Sequence, residues 1–502
     1  MPLVAGGAGT KEAFFVAVPA DMPGHLKAGV DKVVTAGADC SAELQEMLDT
    51  IEAYGGGTLL LLPGTYVIGS SLLLGDNVCL AGTGPATVLE AATDRLIKNK
   101  AGSSKNKNIT IKNLKVDLKD AHSYAVFLYS SENSLLENLT VRGITSYKGG
   151  IYCNGYVTVK NYDYEGSSSA SDAFLLQGPG TSLEGGVIRN TNNAKVYSGK
   201  VTGVTFYNAR LDIQDGGSVA GCYFFNSSNI YLSSIYPEWI AVTGNYFHES
   251  WVWQEGGSDS ITISGNTFSD SGIKYYSTGT GSPAYENVIT GNTFHQSRIL
   301  DSSATDLTRS LIIGNTFLYT GTDVVLDLSS SENILVTNNV FRLGSSTPWP
   351  FNLHESAVER NNMVNYYEDG TPKLVYTNQW QKTISVNIGV SGAWGTAAYI
   401  LPDQHSIGSF ELKLTIGGSF GASEQVDVEI AVIRHMYNPG DPDDIAATIT
   451  KSYTSTAEEW LSRDEVMNLT VDLGSVWKLR LKAKTNLDTT LVTVSADGYG
   501  EA

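Results

Sequence analysis

The sequence ITISGNTF, residues 261–268, is repeated with small changes along the second half of the chain. Its apolar residues Ile261, Ile263 and Phe268 alternate with small polar ones, which is the period-2 pattern of a strand with one buried face. The Gly-Asn pair in the middle interrupts that strand, since Gly and Asn tolerate the left-handed conformation that turns a chain sharply. The segment therefore predicts two short strands that meet at a corner. Related copies follow at 288–294 (VITGNTF), 311–317 (LIIGNTF) and 335–341 (LVTNNVF).

The copies recur at a spacing typical of solenoid repeats. The asparagine equivalent to Asn266 returns every 21 to 26 residues, at Asn245, Asn266, Asn292, Asn315, Asn339 and Asn362. The segments between copies supply a third strand, so each repeat predicts one coil of three short strands. Stacked coils place equivalent residues about 4.8 Å apart. We therefore expect a ladder of hydrogen-bonded asparagines and a buried stack of Phe247, Phe268, Phe294, Phe317 and Phe341.

Leucine-rich repeats have a similar length and also carry an asparagine ladder. They alternate a strand with a helical segment on a leucine framework, whereas the segments here are rich in Ser, Gly, Thr and Val, which are poor helix formers. The pattern favours a three-sided β-coil. The same frame continues upstream without the asparagine, which predicts about a dozen coils in total. There the Asn266 position is taken by Leu114, Leu139, Tyr162, Val204 and Cys222.

A helix is predicted where the solenoid begins. In the segment 40–57, Leu44, Met47, Leu48 and Ile51 form one apolar stripe at helical spacing, and three glycines end it. Ser41 is a candidate to cap the helix start. Because a solenoid exposes unpaired strand edges at its ends, we expect this helix to cover one of them.

Residues 37–84, which include GGGTLLLLPGTY (55–66) and DNVCLAGTG (76–84), resemble the opening of the pectate-lyase-like, right-handed parallel β-helix superfamily. The resemblance implies an all-β fold: an N-terminal segment (1–32), then a single-stranded right-handed parallel β-helix over 33–370 with an N-terminal capping helix. That superfamily includes pectinases, alginate-modifying enzymes and phage tailspike depolymerases. The tailspike-like layout implies a polysaccharide partner, a homotrimer, and a virion or extracellular location.

The repeat disappears from about residue 375. Six segments with clean apolar-polar alternation follow, separated by polar turns, as in an antiparallel β-sandwich. We expect residues 375–502 to form such a domain, with a role in capping, sugar binding or oligomerisation.

Composition agrees with an all-β chain, since glycine is abundant (52 of 502 residues) and only 17% of residues are charged. A net charge of −19 argues against nucleic acid and anionic membranes as partners. No segment predicts membrane insertion or a classical signal peptide. The four cysteines are widely spaced, and we interpret them as small buried residues rather than a metal or disulfide framework: Cys40, Cys79, Cys153 and Cys222.

The sequence contains no catalytic motif of the polygalacturonases, pectate lyases or alginate epimerases, so catalytic residues are predicted from position alone. Glu249 and Asp270 each lie two residues after a repeat phenylalanine and should be neighbours on adjacent coils. One coil of rise would place their carboxyls roughly 5 Å apart, the separation of the carboxylate pair in a retaining glycosidase.

Residues around this pair have the chemistry of a sugar site, in which aromatic rings pack on sugar faces and polar groups bind hydroxyls or a carboxylate. The candidates are His248, Trp251, Trp253, Glu255, Tyr275, Tyr276, His295 and Arg298. The alternative is a solvated turn surface with a tryptophan packed on the coil. The Tyr-rich stretch 152–166 is likewise either the wall of a groove or packing.

Asp212 and Asp215 are candidate ligands for Ca²⁺, a cofactor that a lyase could use, or else ordinary surface carboxylates.

The sequence leaves two candidate functions. The first is a polysaccharide-binding and polysaccharide-degrading protein, a glycoside hydrolase or lyase of the tailspike type. The second is a non-catalytic adhesin or structural spike in which the β-helix is a rigid rod.

Overall fold

The computed structural model of the chain describes residues 13–93, 95–100, 106–119, 124–144, 148–166, 172–232, 239–255, 259–276, 284–301, 307–347, 350–354, 357–360 and 362–368. Further along it describes the backbone of nine strands between residues 371 and 501. The chain divides into two compact units. The first comprises Met1–Leu335, Asn339–Ala357 and Tyr366–Pro372, and the second comprises Val336–Asn338, Val358–Asn365 and Lys373–Ala502.

The first unit is a right-handed parallel β-solenoid of about 11 turns, close to the predicted dozen. Its strands form three parallel ladders, and equivalent residues of successive repeats pair directly. Ile263, for example, lies between Val242 of the preceding coil and Ile289 of the next. The coil of short strands predicted from the repeat and the right-handed parallel β-helix implied by the resemblance are both confirmed.

Five long strands contribute to more than one ladder: Thr110–Asp117, Tyr124–Arg142, Lys148–Glu165, Ser182–Tyr197 and Thr205–Gln214. The other strands of the first ladder are Ala13–Pro19, Lys32–Val34, Gly57–Leu61, Val78–Ala81, Lys200–Thr202, Ser218–Ala220, Ala241–Thr243, Thr262–Ser264, Val288–Thr290 and Leu311–Ile313. Those of the second are Gly64–Ile68, Thr87–Ala91, Tyr223–Phe225, Tyr246–His248, Thr267–Ser269, Thr293–His295, Thr316–Tyr319 and Val340–Leu343. Those of the third are Leu72–Leu74, Arg95–Asn99, Asp172–Gln177, Asn229–Leu232, Trp251–Glu255, Gly272–Tyr276, Arg298–Leu300, Leu326–Leu328 and Phe351–Leu353. Short strands lie at Asn106–Lys107, Ala284–Tyr285 and Leu307–Thr308, and later ones at Leu335–Thr337, Val358–Arg360, Met363–Glu368 and Thr371–Tyr376.

The predicted phenylalanine stack forms the core behind the second ladder. Its rings are fully buried, with centroids 4.5 to 4.8 Å apart and planes within 8° of parallel. Phe206 and Phe224 extend the predicted stack by two coils. The spacing equals the rise of one coil, so the ring stack and the strand ladder have the same period.

The predicted asparagine ladder is also present and buried. The side-chain oxygen of Asn292 accepts the backbone N–H of Asn266 at 2.9 Å and its side-chain N–H at 3.0 Å. The Asn292 side-chain amide in turn donates to the Ile263 carbonyl and to the Asn315 side-chain oxygen, at 2.9 and 3.0 Å. Each asparagine thus satisfies polar groups of both adjoining coils inside the core.

The corner is made by the glycine rather than by the asparagine of each pair. Gly265 has φ of 63°, and the equivalent glycines of the neighbouring repeats have φ of 62° to 65°. In upstream coils an asparagine takes this left-handed position, as Asn138 and Asn161 do, and these side chains are hydrogen-bonded to each other at 3.0 Å on the outside. The upstream residues predicted at the Asn266 position are all buried, which confirms that register: Leu114, Leu139, Tyr162, Val204 and Cys222.

The predicted helix spans Ser41–Ala53, and its apolar stripe is buried. Its start is held by Asp39 rather than by Ser41, because the Asp39 carboxylate accepts the Ser41 backbone N–H at 2.9 Å and the Ser41 hydroxyl. A one-turn helix, Gly24–Lys27, precedes it. Coverage of the solenoid end by the longer helix stays a prediction.

The four cysteines are free; Cys40, Cys153 and Cys222 are buried and Cys79 is half-buried. No helix in the described part of the chain is long and apolar enough to cross a membrane.

Beyond residue 380 the described strands form two four-stranded antiparallel sheets. One contains Gln381–Ile388, Val492–Glu501, Ser409–Gly417 and Glu465–Thr470; the other contains Ala398–Ile400, Trp477–Thr485, Gln425–Arg434 and Asp444–Thr454. Packing of the two sheets as a sandwich stays a prediction.

Candidate functional site

Glu249 and Asp270 occupy the corner between the second and third ladders. Because Phe247 pairs with Phe268, the two acidic residues hold equivalent positions on adjacent coils. Both have φ of 50° and both are exposed. Their backbone N–H groups donate to the next coil, Glu249 to the Ser269 carbonyl and Asp270 to the His295 carbonyl, each at 3.0 Å. The backbone of the corner is therefore tied into the solenoid while both carboxylates project outward.

The two carboxylates have few partners. The Ser269 hydroxyl donates to the Asp270 carboxylate at 3.3 Å. Within the described ranges, neither Glu249 nor Asp270 forms an ion pair. Both groups are thus available to a ligand and are held only loosely by the protein.

The predicted histidines flank this corner. His248 and His295 both pair with Ser269 from opposite sides, so they lie in one outward column of the second ladder. His248 is half-buried and meets the ring of Phe225 edge-on at 6.5 Å, whereas His295 is exposed.

Trp253 lies on the outer face of the third ladder, but both faces of its ring are occupied. Tyr231 of the preceding coil stacks on it at 5.7 Å with planes 5° apart, and the Lys274 ammonium of the next coil lies 4.8 Å from its centroid. Side chains one coil apart thus cover the two ring faces that sugar binding would use, and a role of Trp253 in sugar binding stays a prediction. Trp251 differs: its indole leans over Gly272, where a Cβ would lie 2.8 Å from a ring carbon.

Of four other predicted sugar contacts, two are engaged within the protein and two have side chains that the structure does not describe. Tyr275 is completely buried, because it follows the inward period of its strand, and burial raises the pKa of its hydroxyl above the usual range. It is therefore not a sugar contact. Arg298 is paired with Asp323 at 2.6 Å, so its charge is neutralised. Glu255 and Tyr276 pair in register, and their side chains lie outside what the structure describes.

The calcium hypothesis is not supported by the geometry. Asp212 is nearly buried, and its two carboxylate oxygens accept from the Arg210 guanidinium at 2.6 and 3.2 Å. Asp215 is an exposed turn residue with φ of 46°. The described residues contain no cluster of three or more His, Cys, Asp or Glu side chains suited to a metal ion. Arg210 supplies the positive charge beside Asp212 that a cation was expected to supply.

A second outward surface was missed by the sequence analysis. We call Tyr207, Tyr223, Phe225 and Tyr246 the aromatic strip; they lie on the outer face of the second ladder in three successive coils. Tyr207 stacks on Phe225 at 5.2 Å, and Tyr223 lies 6.4 Å from Tyr246. A signal was present in the sequence. Each buried phenylalanine there is flanked by aromatic residues (TFY, YFF, YFH), where later coils have TFS, TFH and TFL.

The Tyr-rich stretch 152–166 divides between its two interpretations. Tyr162 and Tyr164 are buried in the core. Tyr152 is half-buried on the outside, stacks on Phe127 at 4.5 Å and donates to the Gln177 side chain at 3.0 Å. Tyr156 is exposed. The alternation changes phase at the left-handed corner residue Asn161, so Tyr152 and Tyr156 before it face outward and Tyr162 and Tyr164 after it face the core.

The chain matches no known family profile and no curated protein. Among solved structures it is similar to the mannuronan C-5 epimerase AlgE6 A-module of Azotobacter vinelandii, with 15% identity, a TM-score of 0.42, and coverage of 66% of this chain and 96% of that one. It is also similar to the tailspike protein of E. coli bacteriophage HK620 in complex with pentasaccharide, with 12% identity, a TM-score of 0.41, and coverage of 94% and 92%. A third similar structure is tailspike protein 3 of bacteriophage CBA120, with 12% identity, a TM-score of 0.41, and coverage of 68% and 60%. Similarities of this size carry no information about substrate or activity, because one fold hosts many chemistries.

Proposed function

We propose that the chain binds polysaccharide across the corner between the second and third ladders, and that Glu249 and Asp270 form the carboxylate pair that cleaves it. The observation that carries the proposal is their placement at equivalent, exposed positions of adjacent coils. Strand spacing sets such positions about 4.8 Å apart, near the roughly 5 Å carboxyl separation of retaining glycosidases.

The surroundings of the pair suit a glycan. Trp251 begins the third-ladder strand beside Glu249, is half-buried, and has its indole over Gly272 of the next coil. Aromatic rings at such positions can pack on the apolar faces of sugars. His248 and His295 add hydrogen-bonding groups on the second-ladder side of the corner.

Cleavage assigns different roles to the two carboxyls. One must be protonated to donate to the glycosidic oxygen, and the other ionised to attack or stabilise the anomeric carbon. Neither carboxyl is desolvated in the free chain, since both are exposed. A bound glycan would therefore have to exclude water from the pair before it could react.

The test is reducing-end release from a panel of neutral and acidic polysaccharides by the full chain. Glu249→Gln and Asp270→Asn, singly and together, should lower release at least about a hundredfold, within the usual contribution of acid-base catalysis, while glycan binding is kept. Glu286→Gln is a matched control, because Glu286 is also exposed and left-handed, with φ of 55°. Undiminished release by the double variant eliminates the pair. Absence of binding to every glycan eliminates the proposal.

Two observations favour the second candidate, a non-catalytic adhesin or spike. The carboxylates of Glu249 and Asp270 are held by almost no protein contacts, and the ring faces of Tyr231 and Trp253 are already covered. Glycan binding without any release of reducing ends, in the same panel, would establish this alternative. The homotrimer and the virion location expected from the resemblance are part of either proposal.

A further inference from the structure

The aromatic strip exposes more apolar surface than the outside of a coil requires. Tyr223 is 51% exposed and Tyr207 37%, and neither ring belongs to the core, which the inward phenylalanines already fill. In later coils the column of Tyr223 and Tyr246 holds Thr267, Thr293 and Thr316. The column of Tyr207 and Phe225 continues with His248, Ser269, His295 and Leu318, so the same strands form without a tyrosine or phenylalanine there. The solenoid therefore does not need the strip for folding.

Arg189 closes the N-terminal end of the strip. It pairs with Tyr207 in register, and its guanidinium lies 6.0 Å from the centre of that ring. One guanidinium nitrogen donates to the Asp163 carboxylate at 2.8 Å. Its other N–H groups have no protein partner among the described residues, and the side chain is 36% exposed.

The neighbouring charges position Arg189 without using up its donors. Asp163 also accepts from Arg142 at 2.7 Å, and Arg142 lies 3.4 Å from the Glu165 carboxylate. The four groups sum to a neutral patch on a chain of net charge −19. Arg189 is the member of the patch that retains hydrogen-bond donors facing outward.

We propose that the aromatic strip and Arg189 form a binding surface for a polysaccharide that carries carboxylate groups, a surface that extends the proposed glycan-binding corner and rests on that function. A guanidinium with free N–H groups binds carboxylate in a fork geometry. Tyrosine rings pack on apolar sugar faces while their hydroxyls exchange hydrogen bonds with sugar hydroxyls. Because the net negative charge of the chain repels anions, a carboxylate-bearing polysaccharide has to be attracted by a local positive group. The patch around Arg189 has no net negative charge, so it is a suitable place for such binding.

The strip leads to the proposed cleavage corner. Tyr207, Phe225 and His248 occupy one column in successive coils, and Glu249 follows His248 directly. At the strand spacing this column spans about 10 Å. A glycan held at Arg189 and along the strip would therefore pass over His248 toward Glu249.

The experiment measures binding of the full chain to polygalacturonate and to neutral dextran by affinity electrophoresis and calorimetry. Tyr223→Thr with Tyr246→Thr copies the threonines of later coils, so folding is preserved. Arg189→Gln removes the cation, and Tyr54→Thr is the control, because Tyr54 is 52% exposed at the end of the helix. We expect wild type and the control to bind polygalacturonate and not dextran. The Tyr223→Thr/Tyr246→Thr variant and the Arg189→Gln variant should each bind polygalacturonate about tenfold more weakly or worse. The residual affinity of the Arg189→Gln variant should depend much less on salt concentration than that of the wild type.

Each other outcome overturns a distinct part of the inference. Unchanged polygalacturonate binding by both variants removes the strip as a site and leaves the corner proposal intact. Equal binding of dextran, unaffected by Arg189→Gln, removes the carboxylate specificity. If sedimentation shows that the double variant changes oligomeric state while glycan binding is unchanged, the strip is an interface between copies of this chain. No binding of any polysaccharide by wild type removes the proposed function itself.

Discussion

The inside and the outside of the same coils differ in how they repeat. Inside, Asn266 and Phe268 have the same residue types above and below them over several coils. Outside, the column through His248 changes from Tyr207 and Phe225 to Ser269 within a few coils. Inner positions share one constraint, contact with an identical neighbour at a fixed spacing, whereas outer positions are free to differ. The architecture is therefore encoded by the residues that repeat, and function is to be sought among those that do not.

The largest effect is expected from a gap in the inner stack. Phe294→Ala removes a ring that is stacked on both sides at 4.7 and 4.5 Å, and large-to-small core substitutions of this kind cost about 3 to 5 kcal/mol. Thr293 precedes Phe294 and points outward, so the substitution Thr293→Ala should change the free energy of unfolding by less than about 0.5 kcal/mol. Denaturant unfolding of both variants measures the contrast. Similar losses at the two positions would remove the distinction between inside and outside.

The next effect concerns the asparagine ladder. Asn292→Leu leaves the backbone N–H and the side-chain amide of Asn266 without their acceptor in the core. Unsatisfied buried donors cost about 1 to 3 kcal/mol each. Because the Asn266 side-chain amide keeps its hydrogen bond to the Val242 carbonyl, we expect a loss of roughly 2 to 4 kcal/mol rather than the full sum. Asn161→Gly is the outer control, because it keeps the left-handed backbone and loses only an exposed hydrogen bond. A neutral Asn292→Leu variant would show that the ladder specifies register without stabilising the fold.

A smaller effect tests the corner itself. Gly265→Ala introduces a Cβ that meets no atom closer than 4.0 Å, so its cost is the left-handed backbone alone, about 1 kcal/mol. Gly265→Asn should cost less, because Asn138 and Asn338 hold the same conformation at equivalent corners. Thermal unfolding of the pair separates backbone strain from crowding. An alanine variant as stable as the asparagine variant contradicts the strain account.

The smallest effect is a pH dependence at the helix start. Hydrogen bonds from the Ser41 hydroxyl and from the backbone N–H groups of Ser41 and Gly69 lower the pKa of Asp39. A carboxylate whose pKa is lower in the folded than in the unfolded state stabilises the fold at pH values above its ordinary pKa of about 4. That stabilisation is lost as the pH falls through the folded-state pKa. Asp39→Asn should therefore flatten the loss of stability below about pH 4. Asp215→Asn, the same substitution at an exposed turn, is the control, and denaturant unfolding as a function of pH is the measurement.

The candidate site shows where prediction from sequence reaches its limit. The equivalence of Glu249 and Asp270 could be counted from the repeat, because each follows a phenylalanine of known register. The inward direction of Tyr275 also follows from strand alternation, because Ile273, two residues before it, faces the core. The ion pair of Asp212 with Arg210 follows from ordinary strand alternation as well, since the two residues lie on one face of one strand.

The sequence by itself determined the period, the parallel coils and the buried columns of Asn and Phe, because the same short-range pattern returns at each coil and must meet its own copy. Only the tertiary structure decided which outer side chains are available. Trp253 is covered by Tyr231 and Lys274, residues about a coil away in the chain, and the aromatic strip is assembled from three coils. Contacts on the outer face form between different residue types from neighbouring coils. The repeat pattern does not specify these contacts, because it fixes only the buried positions.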